Sequence, residues 1–115
     1  MSNLPRYTDN DIDEDMKLTR DDYSKILHHY QPGLRKMSVK AAKETAHRIL
    51  AEKLCRCIKG SAAGSEGRRI AYCTRSIFNQ KGLRRHGFRC KTSRGAVRPR
   101  LTGNITKRVR KLRIS

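Results

Sequence analysis

Apolar residues recur with helical spacing in three stretches of the chain. Tyr23, Ile26, Leu27 and Tyr30 fall at i, i+3, i+4 and i+7, which is one face of an α-helix. Thr19 stands ahead of them with Asp22 three residues on, a pairing that can cap the free amides of a first turn, and Pro32-Gly33 ends the element. Ser38 offers a cap for a second helix. Its apolar positions Val39, Ala42, Ala46, Ile49, Leu50, Leu54 and Cys57 keep helical spacing up to Gly60. A third helix fits residues 68–81, with Ile70, Cys73, Ile77 and Phe78 on one side, Arg68, Arg69, Arg75 and Lys81 on the other, and Gly82 as its stop.

Elsewhere the pattern changes. Residues 1–17, with the run "DNDIDED", have almost no hydrophobic periodicity and read as an acidic disordered arm. "GSAAGSEG" at 60–67 reads as a flexible loop. In "LRRHGFRCK", Phe88 and Cys90 alternate with basic residues, which suits a short extended segment. Residues 91–115 hold nine Lys/Arg and no acid; Leu101, Ile105, Val109 and Leu112 would line one side of a basic helix that forms only on a partner. The resulting expectation is a mainly α domain of two to three helices at 18–92, with a short extended segment near Cys90. It lies between a disordered acidic arm at 1–17 and a basic tail at 93–115 that is disordered or folds on binding.

Charge narrows the partners. At 115 residues the chain makes one small domain with a modest core, and its 28 Lys+Arg against 10 Asp+Glu leave a net charge of +18. Residues 1–25 carry seven acids and four bases, so the remainder holds +21. A chain this self-repelling gains from a polyanion, and nucleic acid is the default one. No apolar run approaches the length of a membrane span and no apolar leader core stands near the N-terminus, so the expected location is intracellular, in soluble form. With no Trp and 5% aromatic residues, contact with the phosphate backbone is expected in preference to base stacking.

The four cysteines raise a metal question. They are spaced Cys55-x-Cys57, then fifteen residues to Cys73 and sixteen to Cys90. In a reducing compartment they stay thiols, and four thiolates close a tetrahedral zinc site that supplies folding energy to a small core. Residues two apart on an α-helix point about 200° away from one another, so Cys55 and Cys57 share one metal only if the helix unwinds there. Two main readings stand, a zinc staple on Cys55, Cys57, Cys73 and Cys90, in which His86 could replace one thiol, or reduced thiols with Cys73 in the core; a redox pair at Cys55-x-Cys57 is a minor third. His86, His28, His29 and His47 read as surface or packed residues. Catalysis has little support, because only Glu44, Glu52 and Glu66 lie beyond the acidic N-terminal region and no phosphate cradle or nucleophile turn is present. No small-molecule substrate is expected.

The runs "LTRDDYSKILHHY", "KLCRCIKG" and "IAYCTRSIFNQKGLRRHGFRCK" resemble a group of short basic proteins encoded by large nucleocytoplasmic DNA viruses, of the phycodnavirus and mimivirus kind. The likeness spans roughly residues 18–92 and is carried by Lys53 to Lys59 and Ser76 to Lys91. It implies a setting: a virus that transcribes and packages a large DNA genome in the host nucleus or a cytoplasmic factory.

The leading expectation is then a non-enzymatic, zinc-stapled, DNA-binding protein of genome packaging or transcription. Arg68, Arg69, Arg75, Lys81, Arg84, Arg85, Arg89 and Lys91 would touch phosphates, and Arg94, Arg98, Arg100, Lys107, Arg108, Arg110, Lys111 and Arg113 would add reach from the tail. With ~8 phosphates neutralised, log K would fall with log salt at a slope of roughly −7. Were the third helix to enter a major groove, Arg75 and Asn79 would be its base-reading pair, and one sequence would win by more than ~4 kcal/mol. DNA is favoured over RNA. A different class is a virion structural protein whose basic tail binds an acidic capsid protein or the inner membrane.

Overall fold

Local capping sets the helices. Thr19 begins α1 (Arg20–Tyr30): its hydroxyl accepts the Asp22 amide at 3.2 Å while the Asp22 carboxylate accepts the Thr19 amide at 2.8 Å, the reciprocal pair that the spacing predicts. The Ser38 hydroxyl accepts the Ala41 amide at 3.2 Å at the head of α2 (Val39–Gly60). Ser65 does the same for the Arg68 amide at 3.3 Å, which starts α3 (Glu66–Ile77) two residues earlier than the apolar pattern indicates. This computed structural model of the protein describes residues 11–60, 64–90 and 99–114. Residues 1–10, most of the expected acidic arm, and residues 91–98 lie outside that description.

Beyond α3 the chain tightens into a 3₁₀ turn at Asn79–Lys81 and reverses at Gly82. There φ is +87°, and a Cβ would run into the Val109 side chain, so both conformation and space call for glycine. Short strands follow: β2 (Leu83–Arg84), β3 (Phe88–Arg89), β4 (Arg100–Leu101) and β5 (Thr106–Val109), with β1 (Asp11–Lys17) at the other end of the sequence. Two small antiparallel sheets result. One has the order β1-β5-β2, with Lys107 opposite Met16 on one side and Leu83 on the other; the second pairs β3 with β4, placing Phe88 opposite Leu101 and Arg89 opposite Arg100.

Three helices form where the sequence reading places them, but α3 ends at Ile77 and not at 81, with Gly82 closing the 3₁₀ turn instead; the sheets correct the reading in two further places. The acidic stretch 11–17, read as part of a disordered arm, is an edge strand. Asp15 lies 3.4 Å from the Arg84 guanidinium and 3.5 Å from that of Arg108, so opposite charge rather than apolar alternation contributes to holding it. The tail positions Leu101, Ile105, Val109 and Leu112 form no helix. A spacing of four also keeps residues on one face of a strand, and Ile105, Lys107 and Val109 are buried while Arg108 between them is exposed.

The core lies where α2 meets everything else. Ala46, Leu50 and Leu54 are wholly buried on α2, against Ile26 from α1, Cys73 and Phe78 at and beyond α3, and Leu83 and Ile105 from the sheet region. At ~25 cal/mol per Å² of apolar surface, burial on this scale is the main driving term for a domain of this size. Val39, expected on the inner face of α2, is exposed.

The zinc reading is overturned. The cysteines form two disulfides, Cys55–Cys90 with Cα atoms 5.3 Å apart and Cys57–Cys73 with Cα atoms 5.9 Å apart. Among the described residues no group of three or more His, Cys, Asp or Glu is placed to hold a metal ion. The physical reason lies in α2, which continues as a regular helix through both positions to Gly60. Two side chains that diverge by about 200° cannot meet at one metal, but they can each reach a different neighbour. Cys57 ties α2 to α3, and Cys55 ties α2 to the segment that follows β3.

Candidate nucleic-acid interface

Residues 67–115 contain sixteen Lys/Arg and no Asp or Glu. Their charge therefore has to be balanced by the acids of residues 1–66, by solvent, or by a ligand. The fold sorts these residues into two sets.

The first set is occupied within the protein. Lys107, expected to contact phosphate, is buried and its ammonium lies 2.7 Å from Asp22, with a further donated bond to the Arg110 carbonyl at 3.0 Å. This corrects its place in the binding set, because a buried, paired cation offers nothing to a ligand. Arg84 and Arg108 flank Asp15. Arg85 donates to the Thr74 hydroxyl at 2.9 Å and to the His86 carbonyl at 2.6 Å, and its guanidinium lies 4.5 Å from the centre of the Phe88 ring; partial burial lowers its pKa. Lys81 donates to the Ser76 carbonyl at 3.2 Å and sits over the Tyr30 ring, with its pKa also lowered by burial. Arg69 donates to the Gly64 carbonyl at 3.3 Å.

The second set is exposed and unpaired among the described residues: Arg68 and Arg75 on α3, Arg89 on β3, Arg100 on β4 and Arg110 after β5. Arg89 and Arg100 are directly opposite each other across the β3–β4 pair. Residues so placed have Cβ atoms about 5 Å apart, and like charges there destabilise the pair unless something neutralises them. Lys111 and Arg113 lie at the surface beyond them. Lys91, Arg94 and Arg98 fall outside the described residues.

The expected base-reading pair is not assembled. Asn79 lies past the end of α3, in the 3₁₀ turn, and its side-chain amide donates to the Leu83 carbonyl at 3.1 Å. It therefore continues no helix face with Arg75, and its NH₂ already serves the turn. One surface residue was missed by composition: Tyr72, which is 61% exposed on α3 between Arg68 and Arg75. A low overall aromatic content hides where an individual ring stands.

The exposed side of α2 is different in kind. Glu44, Arg48, Glu52 and Arg56 succeed one another at i+4 intervals, all exposed, so the charge along this stripe alternates and does not make a basic face. A groove of about 400 Å³ beside it is lined by Lys40, Lys43, Glu44, His47, Leu101, Gly103 and Asn104. The His47 Nε2 is buried there without a hydrogen-bond partner, and its pKa is lowered, first by burial and then by Lys43. No helix among the described residues is long and apolar enough to cross a membrane. The chain matches no protein-family model, no curated protein and no solved structure.

Proposed function

We propose that this protein is a non-enzymatic nucleic-acid-binding protein that grips the phosphate backbone through Arg68, Arg75, Arg89, Arg100 and Arg110. The observation that carries this reading is the Arg89–Arg100 juxtaposition in a region with no acid of its own. Two arginines directly opposite across a strand pair repel in the free protein, and a phosphate between them would neutralise both, each offering the planar fork of donors that suits a phosphate group. Should the chain share the setting that its resemblance implies, a virus that packages a large DNA genome, a genome-associated role would suit it. Because the Arg75–Asn79 pair is not formed, grip without sequence readout is favoured over a transcription regulator.

Titration of labelled oligonucleotides by the full chain, repeated between 50 and 200 mM salt, tests this. Five phosphate contacts give a slope of log K against log salt of about −4.5 on duplex. Replacing both arginines (Arg89→Ser, Arg100→Ser) should flatten it by about 2 and weaken binding to every sequence alike. A salt-independent affinity, or no binding at the lower salt, would refute the reading.

A second reading rests on the disulfides. Paired cysteines fit a protein that spends time in an oxidising setting such as a released particle, where the same arginines would meet an acidic capsid protein. Retention of the protein with capsid after nuclease treatment of opened particles would favour it.

A further inference from the structure

We infer that α3 carries a base-stacking site centred on Tyr72, which makes single-stranded nucleic acid the preferred form of the ligand; this rests on the backbone-gripping role proposed above. The inner side of α3 is spent on the fold, with Cys73 and Ile77 buried. Its outer side holds Arg68, Tyr72 and Arg75, related by i+4 and i+3, so the three side chains stand as neighbours with Cβ atoms about 6 Å apart. The only acid on the helix is Glu66, in its first turn.

Tyr72 stands outside the core cluster. It is the most exposed of the large apolar residues described, at 61%, and no hydrogen bond, ring contact or ion pair engages it. A ring presented to water between two unpaired guanidiniums has the composition of a single-strand platform, in which arginines hold phosphates on either side while a base lies on the aromatic face. Duplex nucleic acid cannot use the ring in the same way. Its bases are already stacked on both faces, and only a strand whose bases are unpaired offers a free one. The arginines serve both forms, and the tyrosine separates them.

The test uses the oxidised full chain with four probes: a single-stranded 20-mer of mixed sequence as DNA, the same strand as RNA, the corresponding DNA duplex, and heparin, a polyanion with no bases. Tyr72→Ala is expected to lose on the order of tenfold in affinity for the single strands, to leave duplex and heparin affinity unchanged, and to keep the salt slope. Tyr72→Phe should retain single-strand affinity, since the ring and not the hydroxyl stacks. Thermal melting of both variants should lie close to the parent, as the side chain stands outside the core cluster. Equal loss on all four probes, or no loss on single strands, would overturn the stacking site and leave the phosphate grip standing. Failure of the parent protein to bind any of the nucleic acids would overturn both.

Discussion

Asp22 and Lys107 lie eighty-five residues apart in the sequence and 2.7 Å apart in the fold, with both side chains almost wholly buried. The contact joins the first turn of α1 to the central strand β5. The same Asp22 oxygen also accepts the Thr19 amide, so one carboxylate caps a helix and neutralises the only buried lysine among the described residues.

Asp22→Asn tests this contact most directly. The amide oxygen can still accept from Thr19, but Lys107 keeps its charge in a buried site with no counter-ion. Removing one member of a buried pair costs about 3–5 kcal/mol, and urea unfolding should show a loss of that size. Adding Lys107→Met to the first change should return part of it, because a similar-sized apolar side chain has no charge to bury. Simple additivity of the two single changes would mean that the pair is not energetically coupled.

The disulfides are nested, since the Cys57–Cys73 loop lies inside that of Cys55–Cys90. Closing loops of 16 and 35 residues constrains an unfolded chain by about 3 and about 4 kcal/mol respectively, and nested closures give less than their sum. Cys55 and Cys90 are partly exposed whereas Cys73 is fully buried, so mild reductant should open the outer bond first. Mass spectrometry after partial reduction and thiol alkylation reads the order. A chelator should leave the melting temperature unchanged, and zinc added to the reduced protein should not restore it.

Gly82→Ala places a methyl group at a left-handed backbone position and against Val109. The conformation alone costs about 1–2 kcal/mol, and the crowding adds to it. Val109→Ala in the same chain should relieve the crowding but not the conformational part. If Gly82→Ala melts with the parent, the turn is not held as described.

The lowered pKa of His47 has a definite sign. Burial disfavours its protonated form, so in mild acid the unfolded chain takes up a proton that the folded protein resists. Stability should therefore fall as pH drops from about 6.5 toward the folded-state value, and should be fully present above 6.5. His47→Gln should flatten that part of the profile in chemical denaturation between pH 7 and 5. An unchanged slope would assign the dependence to other groups.

What was legible in the sequence was local. Thr19 with Asp22, and the spacing of Tyr23, Ile26, Leu27 and Tyr30, fixed α1 because a cap and a periodic face are complete within about ten residues. The pair Ile105 and Val109 was not decidable locally, since a spacing of four suits a strand as well as a helix, and the deciding partners were β2 and an acidic β1 about ninety residues away. Coulomb pairing of Asp15 with Arg84 and Arg108 leaves no period to read. The divergence of Cys55 and Cys57 was legible; that each had its own distant partner was not. For the basic surface, the sequence showed the charges, while only the fold showed that Lys107, Arg85 and Lys81 are engaged within it and that Tyr72 stands outside.

The strand order β1-β5-β2 also sets a sequence of events at the ribosome. The helices and both disulfide loops involve residues up to Cys90, but β1 has no neighbour, Asp22 no ammonium and Leu83 no covering strand until residues 105–109 emerge. Contacts this distant along the chain form slowly and close last. During synthesis the acidic strand and Leu83 thus wait together, and the finished sheet comes into being only when the last-made strand slides between β1 and β2.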